Sequence, residues 1–284
     1  MSSLLATHSL LIRCGDLISM QLWTWQTWQD TPFLTCGLLP MPHGFFTRHF
    51  YPALPAELTE AIAPHAQVYR VQQVHSADVL TPTEIERATQ GQADLPPADG
   101  VMSEWPQQAV WACSADCTPA LIADIETGRV AAVHAGWRGT AQKVLPVAVA
   151  RLQARGSRIE NLRVALGPAI DGSVYPVGLD VAIEVGSTVV PVSAETISQG
   201  KGHPLETVIA HLLSLEKSPL LSDPDPERVR LDVRRVNQMQ LEQIGLKPAQ
   251  IAIAPHCTYQ EPERFFSYRR TREKKVQWSG IASR

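Results

Sequence analysis

Two apolar runs, Ala120–Ile125 and Val130–Val133, lie on either side of the short connector Glu126-Thr127-Gly128. A three-residue connector that ends in glycine is typical of a β-hairpin whose last loop residue has a positive φ angle. The flanking segments are the unusual part of this hairpin. Cys113-Ser114-Ala115-Asp116-Cys117 precedes the first run, and His134-Ala135-Gly136-Trp137-Arg138-Gly139 follows the second. The hairpin therefore constrains where these polar residues lie in any fold.

The hairpin is expected to carry Cys117 and His134 to the same end of one sheet. If the turn is centred on Thr127, His134 pairs with about Ala120, and Cys117 lies roughly 10 Å beyond its partner in extended geometry. Thr118-Pro119 is expected to bend the chain back over that gap. A thiolate and an imidazole brought together in this way form either a nucleophile pair or half of a metal site.

Length and composition indicate an ordinary globular protein, with 284 residues of which 44% are hydrophobic and 19% charged. The formal net charge of -3 argues against a nucleic-acid partner, because phosphate backbones require a concentrated basic field. Five cysteines are an odd, scattered set that fits reduced thiols in a cytoplasmic protein. No run reaches the roughly 18 apolar residues of a membrane helix. The apolar start lacks a basic leader, so neither a membrane partner nor export is expected.

We expect residues 1–19 to form a loosely ordered extension and residues 20–284 to form one metal-binding catalytic domain. Residues 67–74 read as a strand that delivers His75 to its end. Apolar spacing predicts a helix over 140–154, kinked by Pro146 and ending at Gly156.

Three further predictions concern the C-terminal half. Asp180 is expected to cap a helix over 181–188, and Asp232 to cap another that ends at Gly245. The segment 218–227, rich in Pro, Asp and Ser, is interpreted as a linker.

His75, Cys117 and His134 each follow an apolar run and adjoin turn residues, the position from which side chains converge. Two imidazoles and one thiolate suit zinc, with copper as a competitor. Three protein ligands leave a fourth position open, where zinc lowers the pKa of a water to about 7, as in zinc nucleobase deaminases. Cys113 competes with Cys117 for the ligand role, although a small buried residue suits Cys113 equally well. Cys257, beside His256, is interpreted as pocket lining.

Six segments together resemble the multicopper polyphenol oxidoreductase (laccase-like) family, also called the purine nucleoside phosphorylase or peptidoglycan editing factor family. The resemblance runs in order from about Met20 to the C-terminus. The segments are Gln73-Val74-His75, Ala98-Asp99-Gly100, Ser114-Ala115-Asp116-Cys117, His134-Ala135-Gly136-Trp137-Arg138-Gly139, Ala165-Leu166-Gly167-Pro168-Ala169-Ile170 and Glu263-Arg264-Phe265-Phe266-Ser267-Tyr268-Arg269-Arg270.

The resemblance implies an α+β fold in which two mixed sheets pack between helices as four α/β/β/α layers in one compact domain. It implies His75, Cys117 and His134 as ligands of Zn²⁺, or of Cu²⁺. The implied reactions are phosphorolysis of adenosine, inosine, guanosine and methylthioadenosine, and deamination of adenosine. The implied partners are thus purine nucleosides and phosphate, with no oligomeric state indicated.

Phosphorolysis requires a phosphate oriented at the ribose C1′, and guanidinium groups are suited to hold it. Arg48 is the first choice for this role, followed by Arg138 and by the Arg269-Arg270 pair. General acid or base chemistry needs a group that titrates near neutrality, for which Asp116 is the nearest candidate.

Three alternatives use the same residues. One is a copper-dependent polyphenol oxidase, although one three-ligand site lacks the several coppers that oxygen reduction requires. Another is a metal-free hydrolase that edits peptidoglycan precursors with Cys117 and His134. The last is a metal-binding protein without enzymatic activity.

Overall fold

The computed structural model describes residues 22–90, 94–190 and 204–284. The predicted extension over 1–19 lies outside these residues. Within the described ranges, every helix is too short or too polar to cross a bilayer.

The first of two large sheets contains six strands in the order β1-β2-β3-β15-β7-β4. Its first two strands form a hairpin whose two loop residues, Gln29 and Asp30, both have positive φ angles, as the right-handed twist of the strands favours. The C-terminal strand β15 lies in the middle of the sheet between β3 and β7. The strands are β1 (Trp23–Trp28), β2 (Thr31–Cys36), β3 (His43–Phe46), β4 (Gln67–Tyr69), β7 (Gln108–Ser114) and β15 (Gln277–Ala282).

The second sheet has the order β14-β10-β8-β9-β6-β5, and the predicted hairpin is its centre. Gly128 has a φ of 74°, as the connector predicts. The strands are β5 (Val79–Leu80), β6 (Gly100–Met102), β8 (Thr118–Asp124), β9 (Val130–Ala135), β10 (Leu162–Leu166) and β14 (Ile251–Ile253).

The register of this hairpin differs by one residue from the prediction. His134 lies opposite Pro119 rather than Ala120, so Cys117 is closer to His134 along the strands than expected. The predicted bend at Thr118-Pro119 is wrong, because both residues belong to β8. The Asp124 N–H donates to the Arg129 carbonyl at 2.8 Å, so the turn residues are Ile125 to Gly128 rather than the three assumed. An even number of turn residues moves the centre of the turn by half a residue, and this accounts for the shift.

Helices lie against both outer faces of the paired sheets, which confirms the predicted α/β/β/α layers. They are α1 (Pro55–Ile62), α2 (Pro82–Ala88), α3 (Trp137–Ala141), α4 (Val144–Ala154), α5 (Leu179–Gly186), α6 (Pro204–Ser214), α7 (Val233–Gln243) and α8 (Tyr268–Thr271).

Three clusters of buried side chains hold these layers together. Between the sheets, Phe45 of β3 and Leu121 of β8 share one cluster. On the outside of the second sheet, Leu145 of α4 packs over Ile122. Leu58 of α1 covers the outside of the first sheet. Each such fully buried side chain contributes about 1.5–3 kcal/mol to the free energy of folding.

The predicted helix over 140–154 is divided in two. Lys143 adopts a left-handed conformation with a φ of 62°, which ends α3 and allows α4 to begin at Val144. Pro146 therefore lies in the first turn of α4, where its missing N–H removes no helical hydrogen bond. Gly156 ends the helix with a φ of 95°, as predicted.

A third, three-stranded sheet has the order β11-β13-β12 and was not predicted. Its strands are β11 (Pro176–Gly178), β12 (Leu220–Ser222) and β13 (Arg228–Leu231). The interpretation of 218–227 as a linker is therefore wrong for β12. The cap prediction for Asp180 is also wrong, because Gly178 is the N-cap of α5 and Asp180 lies in its first turn. The core of this small sheet packs against Trp137 and Tyr175.

Candidate metal centre

His75, Cys117 and His134 lie together although they come from three separate parts of the chain. One ligand atom from each of them lies within 4.8 Å of the other two. Among the described residues, this is the group of three or more His, Cys, Asp or Glu side chains that is placed to hold a metal ion. His134 lies in β9, Cys117 directly precedes β8, and His75 lies in the connection between β4 and β5.

The predicted strand over 67–74 ends early, at Tyr69, so His75 does not stand at a strand end. It lies in an irregular segment with a φ of 64°, a left-handed conformation that is uncommon for residues other than glycine. Gln73 supplies part of that support. Its side-chain amide donates to the Cys113 carbonyl and accepts from the Cys113 N–H, both at 2.8 Å.

Asp99 also supports the backbone conformation of His75, and it connects the His75 segment to His134. Its carboxylate is fully buried. Oδ2 accepts the backbone N–H groups of Val74 at 3.1 Å and Ser76 at 2.6 Å, one on each side of His75. Oδ1 lies 2.8 Å from Nδ1 of His134. This bond holds the His134 proton on Nδ1 and leaves Nε2 for a ligand, the usual arrangement of metal-binding histidines.

Gly136 leaves the space that Cys117 and His75 occupy. A Cβ at this position would lie 2.7 Å from Cys117 Sγ and 3.3 Å from a carbon of the His75 ring. Its φ of -70° is accessible to any residue, so the requirement here is for space and not for backbone freedom. Gly136 is also the N-cap of α3, and Gln142 at the far end of α3 donates to the His75 carbonyl at 3.0 Å.

The electrostatics of the centre favour a thiolate. Burial raises the pKa of Cys117, but the positive charge of His134 and hydrogen bonds from both histidines outweigh it and lower this pKa to about 6. Burial lowers the pKa of His134, yet the Cys117 charge and the Asp99 hydrogen bond raise it to about 9. Without a metal, the pair is therefore a thiolate beside an imidazolium. Binding a metal at Nε2 would release the proton on that nitrogen, while Nδ1 keeps its own.

The donor set fits zinc. Bonds of about 2.0–2.3 Å in a tetrahedral site place ligand atoms roughly 3.5 Å apart, which small side-chain rotations reach from the observed separations. The thiolate and two imidazoles are ligands that zinc and copper both accept. The carboxylate of Asp99 behind His134 completes the arrangement.

Cys113 is not part of this group. Burial raises the pKa of its thiol to about 12, so it stays protonated at neutral pH. Cys257, predicted to line a pocket, is a buried thiol whose Sγ accepts the Asp171 N–H at 3.2 Å.

Asp116 adjoins Cys117, but its carboxylate already has partners. Oδ1 accepts the Thr258 hydroxyl and Oδ2 accepts the Arg269 N–H, both at 2.7 Å. These contacts hold two C-terminal segments beside Cys117. A role for Asp116 in proton transfer remains a prediction.

The predicted arginines differ in their surroundings. Arg48 donates to the Pro262 carbonyl at 2.6 Å and lies 4.7 Å from the Phe266 ring centre. Arg138 is exposed, and its guanidinium lies over the ring of Trp137.

The roles of Asp99, Gln73 and Gly136 were not predicted from the sequence. A signal for Asp99 was present, because a histidine ligand requires a partner for its second nitrogen and Asp99 is a carboxylate that directly precedes a strand. Gln73 and Gly136 act through backbone contacts and close packing, which only the assembled fold reveals.

Comparisons with known proteins show which family and which solved fold this chain resembles. A family model described as multi-copper polyphenol oxidoreductase laccase matches residues 55–282. A purine nucleoside phosphorylase of Synechocystis sp. is 50% identical over 269 residues, which cover 92% of this chain and 97% of that protein. An adenosine deaminase, RL5, from an unknown prokaryotic organism is 27% identical over 201 residues, covering 70% of this chain and 68% of that protein.

The fold is similar to that of a solved relative. The crystal structure of YlmD from Geobacillus stearothermophilus superposes with a TM-score of 0.73 and 26% identity, covering 92% of this chain and 98% of that one.

Proposed function

Because the chain belongs to the multi-copper polyphenol oxidoreductase laccase family, we propose that it is a metal-dependent purine nucleoside phosphorylase. The observation that carries the proposal is the convergence of His75, Cys117 and His134. The choice of reaction is supported by the name of the Synechocystis relative, which is 50% identical to this chain over 269 residues.

In the proposed reaction, a phosphate oxygen forms a bond to C1′ of the ribose and the bond from C1′ to N9 of the purine breaks. The electron pair of that bond stays with the purine, which takes up the proton that hydrogen phosphate releases. The products are a free purine and ribose 1-phosphate, or 5-methylthioribose 1-phosphate when the substrate is methylthioadenosine. The substrates in this proposal are adenosine, inosine, guanosine and methylthioadenosine.

The side chains of the centre have distinct tasks. Cys117, His75 and the Nε2 of His134 would hold the ion, and Zn²⁺ bound there would supply Lewis-acid polarisation. Asp99 keeps the proton of His134 on Nδ1 and holds the His75 segment. Arg48 and Arg138 are proposed to bind phosphate or substrate.

We propose adenosine deamination as a second activity of the same centre, because the relative RL5 is named an adenosine deaminase. Water adds at C6 of the purine and ammonia leaves, which yields inosine. A polyphenol oxidase ranks lower, because the three-ligand group found among the described residues suits one ion.

Inosine supplied with and without phosphate tests the proposal. Zinc-loaded protein is expected to release hypoxanthine and ribose 1-phosphate only when phosphate is present. Release at the same rate without phosphate would indicate a hydrolase, and release by the Cys117→Ala variant at the wild-type rate would remove Cys117 from the reaction.

A further inference from the structure

Resting on the proposed function, we propose that Arg269, stacked on Tyr175, binds the phosphate co-substrate. Arg269 belongs to a basic C-terminal segment in which several arginines are close in sequence. The structure separates these arginines by what their guanidinium groups contact.

Asp116, the residue that precedes Cys117, is hydrogen-bonded to the backbone of Arg269 and to the segment that leads to Tyr175. The backbone N–H of Arg269 donates to Asp116 Oδ2 at 2.7 Å. The backbone carbonyl of Asp116 accepts the N–H of Ile170 at 2.9 Å, in the segment that leads to Tyr175.

The guanidinium of Arg269 retains most of its donors. Its Nη1 makes one long contact, 3.3 Å to the Pro176 carbonyl, and its Cζ lies 4.7 Å from the centre of the Tyr175 ring. No carboxylate of the described residues lies within 4.0 Å of it. A guanidinium has five N–H donors in a planar fork that matches phosphate oxygens in pairs. The Tyr175 ring restricts where the guanidinium lies.

The neighbouring arginines are already engaged. Arg270 donates to the carbonyls of Thr258 and Tyr259 at 2.7 Å and of Phe265 at 2.8 Å, so its role is to hold the chain. Arg264 is paired with Glu261 at 2.9 Å. Arg269 therefore differs from its neighbours in combining half-burial, contact with an aromatic ring and available donors in a segment that is hydrogen-bonded to Asp116, the residue before Cys117.

Inosine phosphorolysis by Arg269→Gln at varied phosphate concentration tests this assignment. The substitution leaves the contact with Asp116 intact, because the backbone makes it. The KM for phosphate is expected to rise about 10- to 100-fold, the effect of losing charge-assisted hydrogen bonds. The KM for inosine and the rate of adenosine deamination, which uses no phosphate, are expected to stay unchanged. Arg269→Lys keeps the charge but not the fork, and should recover part of the phosphate affinity.

Arg272→Gln is the matched control. Its guanidinium also lies over a tyrosine, 5.6 Å from the centre of the exposed Tyr268 ring, and the change in charge is the same. We expect this variant to retain the wild-type KM for phosphate. An equal rise in both variants would mean that only net charge matters and would overturn the proposal.

Calorimetric titration with inorganic phosphate alone separates this inference from the proposed function. If the wild type binds phosphate and Arg269→Gln does not, the assignment holds even when inosine is not split. If the wild type and Arg269→Gln bind phosphate equally, Arg269 does not bind phosphate. The same conclusion follows if Arg269→Gln raises only the KM for inosine.

Discussion

Replacement of Asp99 by asparagine tests how the two histidines are positioned. The carboxylate accepts three hydrogen bonds, from Val74, Ser76 and His134, and all of these partners are donors. Asparagine has one carbonyl oxygen and one NH₂ group, so no orientation of its side chain accepts from both sides. Either the His75 segment loses its support, or the amide donates to His134 Nδ1 and moves the imidazole proton to the ligand nitrogen.

The size of the effect follows from these contacts. A hydrogen bond to a charged group contributes about 1.5–3 kcal/mol, and a buried donor left without a partner costs a similar amount. Loss of a carboxylate partner behind a metal ligand lowers metal affinity about 10- to 100-fold. We therefore expect Asp99→Asn to be less stable by about 2–3 kcal/mol and to bind zinc 10- to 100-fold more weakly.

Competition with a chromogenic chelator measures the zinc affinity, and Asp124→Asn is the matched control. Asp124 is also a fully buried carboxylate in β8, but a single oxygen, Oδ1, accepts both N–H groups, of Glu126 and Thr127. An asparagine keeps these bonds, and we expect wild-type zinc affinity. Wild-type affinity in Asp99→Asn, or an equal loss in both variants, would refute the reasoning.

Two further predictions concern the thiolate and the space around it. Gly136→Ala places a methyl group about 1 Å too close to Cys117 Sγ. We therefore expect the zinc affinity to fall while the circular dichroism spectrum stays unchanged. Gly37→Ala is the control, because a Cβ at Gly37 has its nearest contact at 3.6 Å. Equal zinc affinity in the two variants would contradict a space requirement at Gly136. In metal-free protein, a pKa lowered to about 6 keeps Cys117 a thiolate above that pH. Its alkylation by iodoacetamide, followed by peptide mass spectrometry, should slow as pH falls through about 6, and zinc should protect it. A midpoint near the ordinary thiol value of 9.0 would show that His134 does not stabilise the thiolate.

The sequence predicts the parts of the fold that local pattern specifies. Gly128 and the two apolar runs indicate the central hairpin, and Asp232 caps α7 by accepting the Arg235 N–H at 3.1 Å. Both signals lie within a few residues of the structure they produce. The packing of the two sheets on each other depends on residues distant in sequence. Its prediction came from the resemblance to a family.

The third sheet shows why the rest could not be predicted. Its strands contain three or four residues, too few for an alternating pattern to be distinguished from a loop, and β11 pairs with β13 about 50 residues away. The conformation of His75 is likewise imposed by residues distant in sequence, through hydrogen bonds that span 23 residues for Asp99 and 67 for Gln142. Such contacts leave no periodic signal around the residue that they constrain.

The most direct test of the account combines zinc content with phosphate-dependent cleavage of inosine in four single variants. Alanine replaces each of His75, Cys117 and His134, and His49→Ala, which removes an exposed histidine, is the control. We predict that wild type and His49→Ala bind one zinc ion per chain and release hypoxanthine only with phosphate, and that the other three variants lose both properties. Retention of zinc and of wild-type activity by Cys117→Ala would contradict the claim that these three side chains form the active centre.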